Sequence, residues 1–391
     1  MTKHNNLFIF ILTFGVFAIL NTEMGIIGIL PIIADNFNVS ISQAGLLVSL
    51  FALAIAISGP IMPLLFSGVN RKKAMLFVLG IFLLANILSV FTSSFTVLLI
   101  ARVICGFLQP IYCSLAFSTA SASVSEEEAP KAVARVMVGV SAGMVIGVPV
   151  ANFIANTVSL GVAMSFFAIV NAIAFVITLI FVPSMPVEKR LSYGAQLSVL
   201  KKPIVWFSIM AVILINGSIF GVYSYFAEYL KSVTNLPEKI ISVMLLIYGM
   251  ANIIGNLIAG KSLSKNPIRL IKYFIFSMVV VYIVLFLLGQ FSLPMMLITL
   301  AWGVLAGIDA NINQYWIASV ASEAADFANG LYLTASNLGI TTATAVCGLF
   351  ISGLGTKYVV LGGLMFLILG IVSVLLRESL KTILSKNSSE T

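Results

Sequence analysis

The sequence predicts an all-α membrane protein with twelve transmembrane helices in two pseudo-symmetric six-helix bundles. Hydrophobic residues make up 60% of the 391 residues and charged residues only 9%, which is too little polar surface to enclose a water-soluble core. The apolar residues fall into runs of about 20, the length that crosses a bilayer as a helix. The basic residues lie between these runs, where they act as topology signals, so we expect no nucleic-acid partner despite the net charge of +8.

Charged or turn-forming clusters separate twelve apolar runs. The runs are residues 7–33, 41–66, 74–92, 96–120, 133–157, 160–182, 204–230, 239–260, 270–289, 293–319, 327–352 and 357–376. If the N-terminus is cytoplasmic, the inner segments hold seventeen Lys and Arg residues and the outer segments hold three. This positive-inside bias predicts that both termini are cytoplasmic.

The longest connection, residues 183–203, divides six helices from six. We expect an N-terminal six-helix bundle at 1–182, a cytoplasmic linker at 183–203, and a C-terminal six-helix bundle with a cytoplasmic tail at 204–391. The loops after the second and eighth helices, "NRKK" and "KSLSKNPIRLIK", are both short and basic. Paired repeats of this kind are how secondary transporters build a central site that opens alternately to the two sides.

Residue types for metal, redox or nucleotide chemistry are scarce. Cys105, Cys113 and Cys347 lie inside apolar runs without ligand-like spacing, so we expect neither a disulfide framework nor a metal site. The single histidine, His4, precedes the first span and leaves no histidine-based dyad or proton relay in the membrane. We expect no cofactor.

Two opposite charges lie within the first and fourth spans. An ionisable side chain at hydrocarbon depth is costly and is by default a functional hypothesis. At 1.5 Å per residue, Glu23 lies roughly 15 Å and Arg102 about 9 Å from the outer boundary, so we expect a direct or water-bridged pair in one bundle. Burial and a neighbouring guanidinium act in opposite directions on the pKa of a carboxyl group, which suits proton uptake and release. The alternative is a permanent ion pair that only fixes helix packing.

Small and polar residues recur at helical spacing in the next two spans. The fourth helix has one small or polar face, expected to line a cavity, with Arg102, Gly106, Gln109 and Cys113. In the fifth, the glycines at four-residue spacing permit close helix approach, and the proline that follows permits a bend. These residues are Gly139, Gly143, Gly147 and Pro149.

Twelve helices with "ARVICGF" in the fourth and "GVSAGMVIGVPVAN" in the fifth resemble a major facilitator superfamily transporter of the twelve-helix drug:proton antiporter type. The early stretch "TEMGIIGILPIIADNFNVSISQAGLLVSLFALAIAISGP" is similar to the subgroup that contains bacterial sugar, purine and drug efflux proteins. The "VPVAN" segment resembles the antiporter motif of efflux members, with Ala151 and Asn152 in place of its final glycines. This motif favours export over uptake.

The loop after the second helix departs from the family pattern. In "PLLFSGVNRKK", Pro63, Ser67 and Asn70 stand where the family has a glycine, an aspartate and a second glycine. The charge-relay latch attributed to that aspartate is therefore in doubt. Arg71 and Lys72 remain, and we interpret them mainly as topology signals.

The second half has one acid near the middle of the tenth helix, Asp309. Four residues at relative positions 0, +7, +11 and +14 share one face of this helix. They are Trp302, Asp309, Asn313 and Trp316, so the acid lies between two tryptophans. This face is a candidate substrate cradle with charge and cation–π attraction. The alternative is an acid satisfied by hydroxyls or amides of a neighbouring helix, such as Asn337 or Thr341. On the seventh helix, three residues share a face and extend the candidate pocket: Asn216, Phe220 and Tyr223.

The resemblance implies a transporter in a bacterial-type cytoplasmic membrane, not an enzyme, that exports drugs or metabolites in exchange for protons by alternating access. Its expected partners are a small-molecule substrate, protons and the lipid bilayer, and we expect a monomer. One alternative is a proton-linked importer or facilitator of a sugar or nucleoside. Another is a membrane-embedded enzyme or lipid-handling protein, against which the lack of a nucleophile–base pairing counts.

Overall fold

The computed structural model describes residues 3–39, 41–187 and 193–389, and within these residues every regular element is a helix. The chain forms two compact units, Met1–Leu191 and Ser192–Thr391. The middle of the predicted linker, residues 188–192, lies outside the described residues, and the cytoplasmic position of the linker stays a prediction.

The first unit contains the α-helices numbered α1 to α8. They are α1 (Lys3–Gly25), α2 (Leu30–Phe37), α3 (Ile41–Ser58), α4 (Met62–Phe66), α5 (Arg71–Phe91), α6 (Phe95–Ala122), α7 (Ala129–Thr157) and α8 (Leu160–Phe181).

The second unit contains α9 to α16. They are α9 (Tyr193–Leu197), α10 (Pro203–Tyr223), α11 (Phe226–Ser232), α12 (Glu238–Lys265), α13 (Pro267–Leu288), α14 (Ser292–Ala318), α15 (Ala325–Leu354) and α16 (Val359–Ser389).

The helices agree with the twelve predicted spans. Nine spans are single long helices, whereas the first, second and seventh are each interrupted, as α1 and α2, α3 and α4, and α10 and α11. Eleven helices in the described part of the chain are long and apolar enough to cross a membrane, and the apolar helix Leu46–Ser58 of the second span is shorter. The twelve-helix fold class is therefore confirmed.

The interruptions occur where the sequence weakens helical hydrogen bonding. After α1 ends at Gly25, the chain passes through a short 3-10 turn, Ile26–Ile29, and α2 begins with a proline in its first turn. Proline fits a helix start because its missing N–H group would have no helical partner there. Similarly, Gly59 and Pro60 separate α3 from α4.

Helix packing follows the same order in both units. In the first unit α1 packs on α7 and α8, α3 on α6, and α5 on α8. In the second unit the corresponding contacts are α10 with α15 and α16, α12 with α14, and α13 with α16. This correspondence is the internal repeat that the two basic loops indicated.

Many large apolar side chains lie on the outside of the units. Phe91, for example, is 82% exposed and Leu293 is 71% exposed. Apolar exposure on this scale is typical of a surface that faces another apolar medium, here the hydrocarbon of a bilayer.

Candidate functional site

A polar cluster lies in the first unit where α1 ends. Glu23 is in the last turn of α1 and is partly buried. Its Oε2 accepts a hydrogen bond of 2.6 Å from Nε2 of Gln109 on α6, and Gln109 is only 3% exposed. The other amide atom, Gln109 Oε1, is buried and has no hydrogen-bond partner in the described structure. The predicted polar face of α6 thus contacts the acid directly.

Arg102 contacts the same turn, but it binds main-chain carbonyl groups instead of forming the predicted ion pair. Its guanidinium donates to three main-chain carbonyl oxygens, Leu47 O at 3.1 Å, Thr22 O at 3.1 Å and Glu23 O at 3.2 Å. The guanidinium carbon also lies 4.9 Å from the ring centroid of Phe51. The ion pairs found among the described residues do not include Glu23 with Arg102. The two residues are neighbours, but the contact is with the backbone.

The end of α1 explains this arrangement. The last carbonyl groups of a helix lack partners within the helix, and they carry partial negative charge. Arg102, which is 5% exposed, supplies N–H donors and positive charge to two of them. It therefore caps α1 in the turn that carries Glu23, and it ties α1 to α3 and α6.

A second polar contact lies beside the first. Thr22 Oγ1 accepts hydrogen bonds from Asn86 Nδ2 on α5 at 3.1 Å and from Asn171 Nδ2 on α8 at 2.8 Å. All three side chains are buried. The sequence patterns did not single out these asparagines, although an isolated amide within an apolar helix is a signal for an interhelical hydrogen bond.

The glycines of α7 face the first helix. A Cβ atom at Gly143 would lie 2.7 Å from Leu20 Cβ, and one at Gly147 would lie 2.6 Å from Asn21 Oδ1. A Cβ at Gly139 would collide with a main-chain oxygen of α1. These glycines thus let α7 approach α1 closely. Pro149 lies inside α7 with an exposed side chain.

Arg71, interpreted as a topology signal, also makes structural contacts. Its Nη1 donates to Thr119 Oγ1 at 3.0 Å and to Ser118 Oγ at 3.4 Å, both in the last turns of α6. Its backbone N–H donates to Met185 O at 3.1 Å. The neighbouring Lys72 is partly buried. Arg71 therefore joins the start of α5 to the end of α6.

The second unit buries an acid, Asp309, with one carboxyl oxygen that has no hydrogen-bond partner in the described structure. Asp309 on α14 is 1% exposed, and its Oδ1 forms no hydrogen bond within the described part of the chain. Asn313, one turn further on, is buried, and neither of its amide atoms has a hydrogen-bond partner in the described structure. Asn337 donates instead to Leu333 O and Thr341 to Asn337 O. Neither of these two residues bonds Oδ1 of Asp309 in the described structure.

Two turns before Asp309 on α14, aromatic rings from four further helices surround Trp302. The centroid of the Trp302 ring lies 5.2 Å from Phe226 and Tyr248, 6.1 Å from Tyr282 and 6.4 Å from Tyr223, all at steep interplanar angles. The sequence patterns indicated Trp302 and Tyr223, but not the rings that α11, α12 and α13 contribute.

The predicted face of α14 does not form one cradle. Trp316 is buried, but it lies against Arg377 of α16, whose guanidinium carbon is 6.0 Å from the indole centroid. Arg377 Nη2 donates to Trp316 O at 3.4 Å, and its Nε donates to Ser208 Oγ at 2.8 Å. Trp316 thus belongs to a contact at the C-terminal end of α14, two turns from Asp309. Arg377 is one of the seventeen basic residues of the predicted inner segments.

The predicted residues of α10 divide in the same way. Asn216 Nδ2 donates to Ser336 O on α15 at 2.9 Å, which is a helix-packing contact. Phe220 lies 6.1 Å from Tyr223 in an edge-to-face arrangement and so adjoins the aromatic cluster.

Two repeated six-helix units, each with a partly or fully buried acid, define a multi-pass membrane protein of the transporter class. The family model of the Major Facilitator Superfamily matches residues 12–344. The chain belongs to this superfamily, whose members are transporters of small molecules across the bilayer rather than enzymes.

Bacterial relatives extend over nearly the whole chain. The uncharacterized MFS-type transporter YtbD of Bacillus subtilis is 30% identical over 360 residues, 90% of this chain and 91% of the relative. The inner membrane transport protein YdhP of Escherichia coli K12 is 29% identical, with coverages of 89% and 90%. A probable sugar efflux transporter of Helicobacter pylori is 23% identical, with coverages of 90% and 90%.

Solved structures share the fold at low sequence identity. The Escherichia coli fucose:proton symporter FucP superimposes with a TM-score of 0.76 at 16% identity, covering 96% of this chain and 99% of that chain. The human organic anion transporter MFSD10 gives a TM-score of 0.76 at 14% identity, with coverages of 95% and 100%. These likenesses concern the fold alone.

Proposed function

We propose that this protein is a proton-coupled exporter of small organic molecules in a bacterial cytoplasmic membrane, with both termini cytoplasmic. It works as a monomer that exposes its binding residues alternately to the two sides. The observation that carries the proposal is the Glu23 carboxylate at the end of α1, hydrogen-bonded to Gln109 and next to the Arg102 cap.

The Glu23 site is suited to an acid that gains and loses a proton. In the ionised state, Gln109 Nε2 donates to the carboxylate. In the protonated state, rotation of the amide presents its free Oε1 as an acceptor for the carboxylic O–H. The fixed charge of Arg102 compensates the ionised form without itself exchanging a proton. Glu23 and Arg102 are therefore the proposed proton-coupling pair, with Arg102 as a positioning residue.

The substrate-binding role belongs to the second unit in this proposal. Asp309, Asn313 and Trp302 offer unpaired polar atoms in a buried setting, which a bound molecule would satisfy. Tyr223 and Phe220 adjoin them. The remaining proposed substrate residues, Gln109, Asn216 and Trp316, already have protein contacts, which weakens their assignment.

Export is favoured by two observations. The "VPVAN" segment follows the glycines of α7, and relatives from several bacteria are named probable sugar efflux transporters. The rival function is a proton-linked importer or facilitator of a sugar or nucleoside. Because of the names of these relatives, a sugar is a second candidate substrate.

The test is transport by purified protein in proteoliposomes with an imposed pH gradient. A chemically mixed library identifies compounds that move, and a pH-sensitive dye records proton movement in the opposite direction. We expect compounds to accumulate on the acidic side. The control is Glu127→Gln, since Glu127 is an exposed acid between α6 and α7. This variant should depend on the pH gradient as the wild type does. Compounds that only equilibrate would identify a facilitator, and accumulation on the alkaline side would identify an importer.

A further inference from the structure

We propose that the second unit holds a site for an organic cation, whose ammonium group lies among five aromatic rings with Asp309 as counter-ion. The rings are those of Tyr223, Phe226, Tyr248, Tyr282 and Trp302. As an account of what is transported, this inference rests on the proposed function, but the binding site itself can be tested without transport.

The charge of the buried Asp309 carboxylate needs compensation. A buried carboxylate without a partner costs several kcal/mol, and a bound positive charge offsets that cost. Ion pairs in the described part of the second unit include Lys202 with Glu323 and Arg377 with Glu378, and neither involves Asp309. Without a ligand the buried group can be neutral by protonation. A cationic ligand supplies the positive charge that stabilises the carboxylate.

The aromatic rings around Trp302 offer surfaces that attract a cation. A cation binds over the face of an aromatic ring within about 6 Å of its centroid, most strongly over tryptophan. Here four rings lie 5.2 to 6.4 Å from the centroid of Trp302, at interplanar angles of 69° to 89°. These rings pack against one another, so a cation binds over the face of Trp302 by taking the place of a neighbouring ring. The ring of Tyr282 is held in place because its hydroxyl donates to Ser218 O at 2.6 Å.

The aromatic cluster has one partly exposed ring and one unpaired polar group. Tyr223 is the partly exposed member of the five, whereas Trp302 and Tyr282 are fully buried, so a ligand enters past Tyr223. The indole N–H of Trp302 is buried without a partner and can donate to an oxygen atom of the ligand. A neutral polyol can also use this donor, but it does not compensate the carboxylate charge. The site therefore fits an ammonium compound that carries a hydroxyl group.

The experiment compares two compounds of the same shape. Choline, a trimethylammonium alcohol, and 3,3-dimethylbutan-1-ol, its neutral carbon analogue, are titrated onto the full-length protein in detergent. Trp302 fluorescence reports binding in a Trp206→Phe/Trp316→Phe background, which leaves one tryptophan. Should this background not fold, calorimetric titration of the protein with all three tryptophans gives the same comparison.

We expect choline to bind at least about tenfold more tightly than the neutral analogue. In Asp309→Asn this preference should fall to less than about threefold, because the charge attraction in a low-dielectric site is lost. The control Asp35→Asn, at an exposed acid of the first unit, should keep the full preference. Equal binding of both compounds, no saturable binding of choline, or a preference that survives Asp309→Asn would overturn the proposal.

The two proposals fail in different ways. If pH-driven transport occurs but binding shows no Asp309-dependent preference for the cation, this inference is wrong and the proposed function stands. If the preference is found but no compound responds to a pH gradient, the cation site stands and proton-coupled export is wrong.

Discussion

Replacement of Arg102 by lysine is expected to destabilise the first unit strongly although it keeps the charge. Arg102 makes three hydrogen bonds with fixed directions, to Leu47 O, Thr22 O and Glu23 O. A lysine ammonium is a single compact donor group that cannot span three carbonyls on two helices. If it keeps one bond, two are lost. At about 1.5–3 kcal/mol for a bond to a charged group, the loss is about 3–6 kcal/mol.

The expected loss is large enough to measure by thermal unfolding. For a unit the size of Met1–Leu191, 3 kcal/mol corresponds to a decrease in Tm of at least about 6 °C. A thiol-reactive dye follows the first unit alone when the buried Cys113 is kept and Cys105 and Cys347 are replaced by alanine. The control is Arg135→Lys, since Arg135 is exposed. A decrease no larger than that of Arg135→Lys would refute the capping role of Arg102.

Two further predictions concern α6 and α7. Gly139→Ala should destabilise the protein by about 1–3 kcal/mol, because the added methyl group collides with the main-chain oxygen of Thr13. Gly80→Ala is the matched control, since the nearest atom lies 3.6 Å away, and equal stability of the two variants would contradict the close-packing account. Gln109→Leu should slow pH-driven exchange by roughly tenfold, because Glu23 loses its hydrogen-bond partner in both protonation states. An unchanged rate in proteoliposomes would exclude this role.

Hydropathy and charge were sufficient to predict the twelve spans, because the bilayer imposes length and composition on each helix independently. Depth alone also predicted that Glu23 and Arg102 are neighbours, since both positions follow from counting residues along antiparallel helices. The close approach of α7 followed from its glycine spacing.

Other features depend on where helices end and on which faces meet. The interruption after Gly25 lies inside a continuous apolar run, so the sequence did not indicate that Arg102 would bind carbonyl groups instead of the Glu23 carboxylate. The rings around Trp302 come from separate helices, and single aromatic residues in apolar helices do not differ in pattern from packing residues. Trp316 shares a helical face with Asp309, but α16 covers it with Arg377.

The central claim is that Glu23 carries the coupled proton, and one measurement tests it most directly. Glu23→Gln keeps the shape and hydrogen-bonding capacity of the side chain but removes its ability to ionise. In proteoliposomes we expect this variant to retain substrate counterflow without a pH gradient and to lose accumulation driven by the gradient, while Glu127→Gln retains both. Gradient-driven accumulation by Glu23→Gln at the wild-type level would contradict the assignment.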